Sequence, residues 1–327
     1  MWKTKVALTV VALILAGHAA AEDLLENDFS RGQLFAKYVL PASPKGGEVL
    51  SLDRDFDFPK DVATLKSSGK EFLVGVDVSH HNTDNCSCQI SWVAVYDAGA
   101  RFVYAKASQG RGADGKLEGY LKGINALPAD KHLYKGTYHF LSADGAGEMQ
   151  AQFYVENLDK RLAAVGAKRG PDDLPPVVDL EWDHRVIRGG RPAPCSDGMI
   201  HKDCWELVPS DQILSRVSAW LKRVRELTGR EPLIYTAKSW VRERIGREDD
   251  FAKLGVTVWV ADYVPHDKTG KRTILTVNPR IPKGTTAPLW QFSDRASMPD
   301  ESNLDGVDTN VFKGTAKDFE QTFLLRK

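Results

Sequence analysis

The sequence predicts an α/β fold, an irregular (β/α)8-like barrel of the TIM type with reduced helices beside its last strands and a short N-terminal extension. Three observations carry this expectation. From Phe72 onward, eight short β-rich runs alternate with helical patterns. The stretch they occupy, about 255 residues, is the usual size of such a barrel. The chain has 327 residues, 42% of them hydrophobic, which is enough to bury one large core.

Taken from the N-terminus, Lys3 and Lys5 precede an apolar run from Val6 to Ala16 and an A-x-A site at Ala19-Ala20-Ala21. That layout is a secretory signal peptide over residues 1–21. About 11 apolar residues, at roughly 1.5 Å each, do not cross a hydrocarbon core of about 30 Å, so stable membrane insertion is not expected. No cysteine follows the apolar core, which removes the simplest lipoprotein reading. The protein is expected to be exported, to the periplasm or the medium. Residues 22–70 read as an N-terminal extension, with a short helix around Glu26 to Tyr38 and a Pro/Gly/Asp-containing stretch from Pro41 to Pro59. Residues 71–327 form the barrel domain.

The expected strands are Phe72 to Ser79, Arg101 to Ala107, Leu133 to Phe140, Pro176 to Glu181, Pro232 to Thr236, Val256 to Ala261, Ala287 to Phe292 and Gly306 to Asn310. The clearest helix is Asp211 to Thr228, whose Ile213, Leu214, Val217, Trp220, Leu221, Val224 and Leu227 share one face of period 3.6. Ser210 is placed to cap its start and Gly229 its end. A second helix, Glu148 to Val165, puts Met149, Phe153, Leu158 and Leu162 near one stripe. After the fifth strand the intervals are loop-like, which makes the barrel irregular.

Lys and Arg total 44 and so do Asp and Glu, interspersed along the chain. No basic stripe exists to track a phosphate backbone, so nucleic acid is not an expected partner. Nothing specifies an oligomer, and a monomer is expected. The four cysteines, Cys86, Cys88, Cys195 and Cys204, lie in the exported part, where disulfides form. Pairing Cys195 with Cys204 closes a short loop, and pairing Cys86 with Cys88 closes a small strained ring. Cross-pairing between the two regions also stays open. Their spacing does not match a zinc site.

Three expected strands end in acids: Asp77, the pair Asp179 and Glu181, and Asp308. A barrel interior is normally filled by Val, Ile and Leu, and a buried carboxylate is costly, so acids there point to function. Asp179 and Glu181 are two positions apart on one strand, hence on one face with Cα atoms roughly 6.6 Å apart. Glycoside cleavage needs such a pair, one carboxylic acid to protonate the leaving oxygen and negative charge to stabilise an oxocarbenium-like transition state. Crowded like charges favour keeping one carboxyl protonated. The longer Glu181 is assigned as the acid. Tyr138 and His139, Trp259 and Tyr263, and Trp290 and Gln291 end other strands, and add aromatic and polar groups of the kind that hold sugar rings. His80 and His81, as neighbours on a strand, are expected to point to opposite faces, a poor geometry for one metal ion.

The ordered set Asp77-Val78-Ser79, Trp92, Phe102 to Ala107, Gly136-Thr137-Tyr138-His139-Phe140, Pro175 to Glu181, Pro232 to Tyr235, Trp259 to Tyr263, Trp290-Gln291 and Val307 to Asn310 resembles family 25 of the glycoside hydrolases. The resemblance spans Gly75 to Phe312. It implies a modified barrel that hydrolyses the β-1,4 bond between N-acetylmuramic acid and N-acetylglucosamine in the glycan strands of peptidoglycan, without metal or organic cofactor. By position it implies Glu181 as proton donor, with Asp179, Asp77 and Asp308 as the other acids of the site. Two departures stand out. Where the family commonly reads Lys-Ala-Thr-Glu-Gly, this chain reads Lys106-Ala107-Ser108-Gln109-Gly110, an amide for a carboxylate that can still hydrogen-bond a sugar. Arg185 to Pro209 is an insertion after the catalytic pair, expected to wall the cleft. The competing reading is an exported saccharide-binding protein of the same fold that has lost turnover.

Overall fold

The computed structural model describes residues 56–83, 88–187, 191–263 and 274–325. The signal peptide, the helix expected around Glu26 to Tyr38 and Cys86 lie outside the described residues.

In chain order the elements are β1 (Phe56–Asp57), α1 (Lys60–Lys66), β2 (Phe72–Val78), α2 (Trp92–Asp97), β3 (Ala100–Gln109), β4 (Gly112–Ala113), α3 (Leu117–Asn125), β5 (Tyr134–Phe140) and α4 (Gly147–Ala164). They continue with β6 (Val177–Leu180), β7 (Val186–Ile187), β8 (Arg191–Pro192), α5 (Ser210–Thr228), β9 (Leu233–Ala237), α6 (Glu248–Ala252), β10 (Val258–Ala261), β11 (Leu289–Ser297), β12 (Asp305–Lys313) and α7 (Ala316–Phe323). Eight strands, in the order β2-β3-β5-β6-β9-β10-β11-β12, close into a barrel through pairing of β12 with β2. The runs expected as strands are its staves. Seven run parallel, and β12 runs against both its neighbours. No helix among the described residues is long and apolar enough to cross a membrane.

Side chains alternate between two apolar layers, as the period of a strand demands. Val74, Val76, Val103, Val178, Ile234, Val258 and Val260 face outward and pack with Leu158, Leu162, Val217, Trp220 and Leu221 of the surrounding helices. Leu73, Phe102, Tyr104, Tyr138, Val177, Tyr235, Trp259, Leu289 and Phe312 fill the interior. Two glycines make room for the interior rings. A Cβ on Gly75 would stand 2.4 Å from the Phe102 ring, and one on Gly136 2.3 Å from Tyr104. The end of the barrel where the parallel strands begin is stoppered by α7, whose Phe319 ring lies 5.2 Å from Phe102, 5.1 Å from Tyr134 and 5.2 Å from Phe312. Thr315 and Asp318 form a capping box that starts this helix where the stopper requires it.

Residues just before the barrel join its packing. β1 pairs with the bent end of β11, Phe56 against Ala296, and Phe56, Phe58, Val62 and Leu65 belong to the outer core. Helix α5 begins one residue earlier than expected, so Ser210 is inside the first turn and Pro209 holds the cap position without a side-chain bond. Gly229 ends it at φ 65°, as read from the sequence. The stripe on α4 is rotated from the expected one. Ala151, Tyr154, Val155, Leu158 and Leu162 are buried, while Met149 is 52% exposed. Gln150 and Tyr154 supply buried polar contacts, so hydrophobicity alone misplaced the face.

Candidate active site

The parallel strands bring their C-terminal ends to one rim, opposite the α7 stopper. Asp77 is the penultimate residue of β2, Asp179 that of β6, and Glu181 follows β6 directly. Asp77 and Asp179 are buried, each 1% exposed, and Glu181 is partly exposed. Asp308 does not end its strand, contrary to the sequence expectation. It lies in the first half of β12, and because β12 runs backwards it pairs directly with Asp77. Counting around the ring, β12 stands diametrically across from β6. Two acidic pairs therefore converge on one mouth, Asp179 with Glu181 on one side and Asp77 with Asp308 on the other.

Beneath the mouth a hydrogen-bond network holds Asp77. Its Oδ2 accepts from Gln291 Nε2 and from Asn310 Nδ2, both at 2.8 Å. Gln291 Oε1 in turn accepts from the hydroxyls of Tyr235 at 2.8 Å and Tyr263 at 2.9 Å. The Trp259 indole N–H donates to Asn310 Oδ1 at 2.8 Å, and its ring lies 4.9 Å from Tyr104 and 4.8 Å from Tyr235. Five strands, or the residues following them, are thus locked together under one carboxylate. Tyr235 and Asn310 were not selected from the sequence. Asn310 could have been, since it shares a face with Asp308 two positions earlier.

Of the other expected contacts, Tyr138 lines the buried interior, and Tyr263 reaches Gln291 from the end of β10. Gln109 ends β3, its Oε1 accepting from Lys106 Nζ at 2.7 Å. Lys106 also lies 5.2 Å from the centre of the Phe140 ring. Trp259 is 1% exposed and forms the floor beneath the mouth. His139 and Trp290 are corrections, because each alternates with an inward neighbour and so faces outward. His139 is fully buried against the Trp220 ring, 5.9 Å away, with Ser108 Oγ at 2.8 Å and Gln150 Oε1 at 3.3 Å. Burial pushes its imidazole down to about 3. Trp290 belongs to the outer core and donates to the Asp262 carbonyl at 2.7 Å. His80 and His81 also differ from expectation. They sit on a turn after β2 with ring centres 3.9 Å apart, and His80 Nδ1 lies 2.9 Å from Asp114 Oδ2. Despite burial, the hydrogen bonds and charge of His80 hold the Asp114 carboxyl below its ordinary value.

The insertion after Glu181 is built on buried charge. Asp183, fully buried, accepts from Ser142 Oγ at 3.0 Å, Ala143 N at 2.8 Å and Arg185 Nη2 at 3.0 Å. Burial opposes the charge on Arg185, yet Asp183 and Asp144 hold its guanidinium above the ordinary range. Cys195 and Cys204 form a disulfide across a sequence separation of 9. Cys88 is disulfide-bonded as well. Next to Cys204, burial pushes the Asp203 carboxyl up to about 6 against the pull of Arg244.

A cavity of about 710 Å³ opens near the opposite rim, between Leu158 and Leu162 of α4, Leu174 and Leu227. Four of its charged residues are paired, Lys135 with Asp173 at 3.2 Å and Arg169 with Asp159 at 2.6 Å, and it contains none of the converging acids. The converging acids make the mouth the candidate site.

An eight-stranded barrel with acid pairs at the C-terminal rim is an arrangement that glycoside hydrolases use. The profile described as glycosyl hydrolases family 25 matches residues 76–301. The chain belongs to that family. Lysozyme M1 of Streptomyces globisporus is 26% identical over 310 residues, covering 94% of this chain and 87% of that protein. The N,O-diacetylmuramidase of Chalaropsis sp is 25% identical over 238 residues, covering 70% of this chain and 92% of that one. A family 25 glycosyl hydrolase structure from Bacillus anthracis superposes with a TM-score of 0.55 at 18% identity, over 77% of this chain and 94% of that chain, a likeness of fold.

Proposed function

We propose that the protein is a muramidase that cleaves the β-1,4 bond between N-acetylmuramic acid and N-acetylglucosamine in peptidoglycan. The observation that supports this reading is that Asp179, near the end of β6, and Glu181, directly after it, lie at the same rim as Asp77 and its cross-strand partner Asp308. The relatives named lysozyme and N,O-diacetylmuramidase support the substrate.

In this reading the Glu181 carboxyl gives its proton to the glycosidic oxygen as the C–O bond breaks. Positive charge develops at the anomeric carbon, and Asp179 stabilises it. The same charge serves direct attack by Asp179 or orientation of the substrate's N-acetyl oxygen for attack. Water then completes hydrolysis, giving a proton back to Glu181. Asp77 and Asp308 hold substrate on the far side. Gln109, positioned by Lys106, offers an amide to a sugar hydroxyl. A signal peptide over residues 1–21 would deliver the enzyme to the compartment where its substrate lies, and the Cys195–Cys204 disulfide fits an oxidising compartment.

The test is release of reducing ends and of mass-identified muropeptides from purified peptidoglycan. Glu181→Gln is expected to lower turnover about 10²–10⁴-fold. Binding of glycan without turnover by the unaltered protein would favour the saccharide-binding reading instead.

A further inference from the structure

Glu181 lies one residue past the last register pair of β6, Leu180 with Thr236, and the two residues that follow it are gripped from a single cluster. The Trp182 indole N–H donates to Glu243 Oε2 at 3.0 Å. The backbone N–H of Asp183 donates to Asp203 Oδ1 at 2.8 Å. Arg244, on the turn that follows β9, joins both acceptors, reaching Glu243 Oε1 at 2.9 Å and Asp203 Oδ2 at 2.5 Å. Asp203 is fully buried. Its Oδ1 also accepts from Trp205 N at 3.1 Å, and Cys204 N returns a bond to the Asp183 carbonyl at 3.0 Å. From the other side the Asp183 carboxylate is held by Ser142 and Ala143, in the connection between β5 and α4.

From this geometry we propose that Asp203 and Arg244 are positioning residues that fix the 181–183 segment, and so aim Glu181 at the scissile bond. The inference rests on the reading of Glu181 as proton donor. A buried ion pair is poor value as a source of stability, since well-packed apolar residues of similar volume often serve as well. What it does supply here is direction. Asp203 presents one oxygen to two backbone N–H groups while the guanidinium holds the other oxygen, so the carboxylate cannot rotate without losing bonds. Because Asp203 sits inside the insertion, the insertion does more than wall the cleft. It reaches back to the chain carrying the acid, and its disulfide secures the neighbouring residue.

The experiment compares the purified protein with Glu181→Gln, Asp203→Ala, Asp203→Asn and Arg244→Gln on soluble peptidoglycan fragments, reading kcat, KM and the pH profile of kcat. Asp203→Ala should lower kcat about 10²-fold with KM changed less than about twofold, the size of effect a misplacement near 1 Å produces. It should also move the alkaline limb of the kcat profile by about half a pH unit or more, because the donor's surroundings change. Asp203→Asn keeps an acceptor for the Asp183 N–H and should recover about tenfold of the loss, in line with the worth of one such bond. Arg244→Gln must lower kcat and shift the same limb; it decides the matter where Asp203→Ala fails to fold. Wild-type kcat and pH profile in Asp203→Ala or Arg244→Gln, beside an inactive Glu181→Gln, overturn the proposal alone. A loss of active protein with an unmoved pH limb also overturns it, as a merely structural effect. Full turnover in Glu181→Gln overturns the parent reading and this one with it.

Discussion

Asp77 and Asp308 are direct cross-strand partners, joining β2 to the one barrel strand that runs against the others. Their roles in stability differ. Asp77 accepts two amide hydrogen bonds in the buried layer, whereas Asp308 is partly exposed at the mouth. Asp77→Asn should therefore destabilise the fold by about 1–3 kcal/mol, the loss typical of a buried charged acceptor. Asp308→Asn should change stability by less than about 1 kcal/mol, within the range of a cross-strand pair. Both should lose at least about tenfold in turnover if they hold substrate. Urea unfolding alongside hydrolysis assays checks this, and equal destabilisation by the two variants would contradict it.

Gln291 is the hub between Asp77 and the hydroxyls of Tyr235 and Tyr263. Replacing it by Leu keeps the bulk but takes one hydrogen bond from each of three polar groups, of which Asp77 and Tyr235 are buried. The expected cost is about 2–4 kcal/mol, more than one ordinary hydrogen bond, because several groups lose a partner together. A chemical-denaturation midpoint equal to wild type would show the network to be dispensable.

The barrel was legible because its strands are dense in β-branched and aromatic residues, and because Asp77, Asp179 and Glu181 interrupt them where a core residue belongs. Asp308 was legible as an acid near the other strand acids but not as a residue early in its strand, since nothing local tells the direction of β12. His139 and Trp290 were assigned to the mouth beside Tyr138 and Gln291, yet neighbours on a strand face opposite ways. Choosing one of each pair requires the register that pairing supplies. The tie between Asp203 and Arg244, 41 residues apart, has no local signature. Charged residues in a Pro- and Gly-containing insertion look solvated until the fold buries them.

The disulfide Cys195–Cys204 closes a short loop inside the insertion. In the chain-entropy account a loop of about ten residues gives roughly 2–3 kcal/mol. The double variant Cys195→Ser/Cys204→Ser should lose up to about that much in urea unfolding. Because Cys204 adjoins Asp203, the variant should also lower turnover. Unchanged stability and turnover would mean that buried charge alone holds the insertion.

His139 sets a pH dependence with a definite sign. Burial between β5, α4 and α5 lowers its pKa from about 6.5 to about 3, with Ser108 and Gln150 at its nitrogens and Trp220 against its ring. Between those values the unfolded chain takes up a proton that the folded protein refuses. The contribution of neutral His139 is thus fully present above about pH 6.5 and is lost progressively as the pH falls towards 3. By pH 4 the loss should be on the order of 3 kcal/mol. His139→Gln can hydrogen-bond to the same neighbours without titrating. It should begin less stable at pH 7 through imperfect packing, then fall less steeply on acidification. Urea midpoints at pH 7, 5.5 and 4 give both slopes, and parallel slopes for the two proteins would remove His139 as the source of the acid sensitivity.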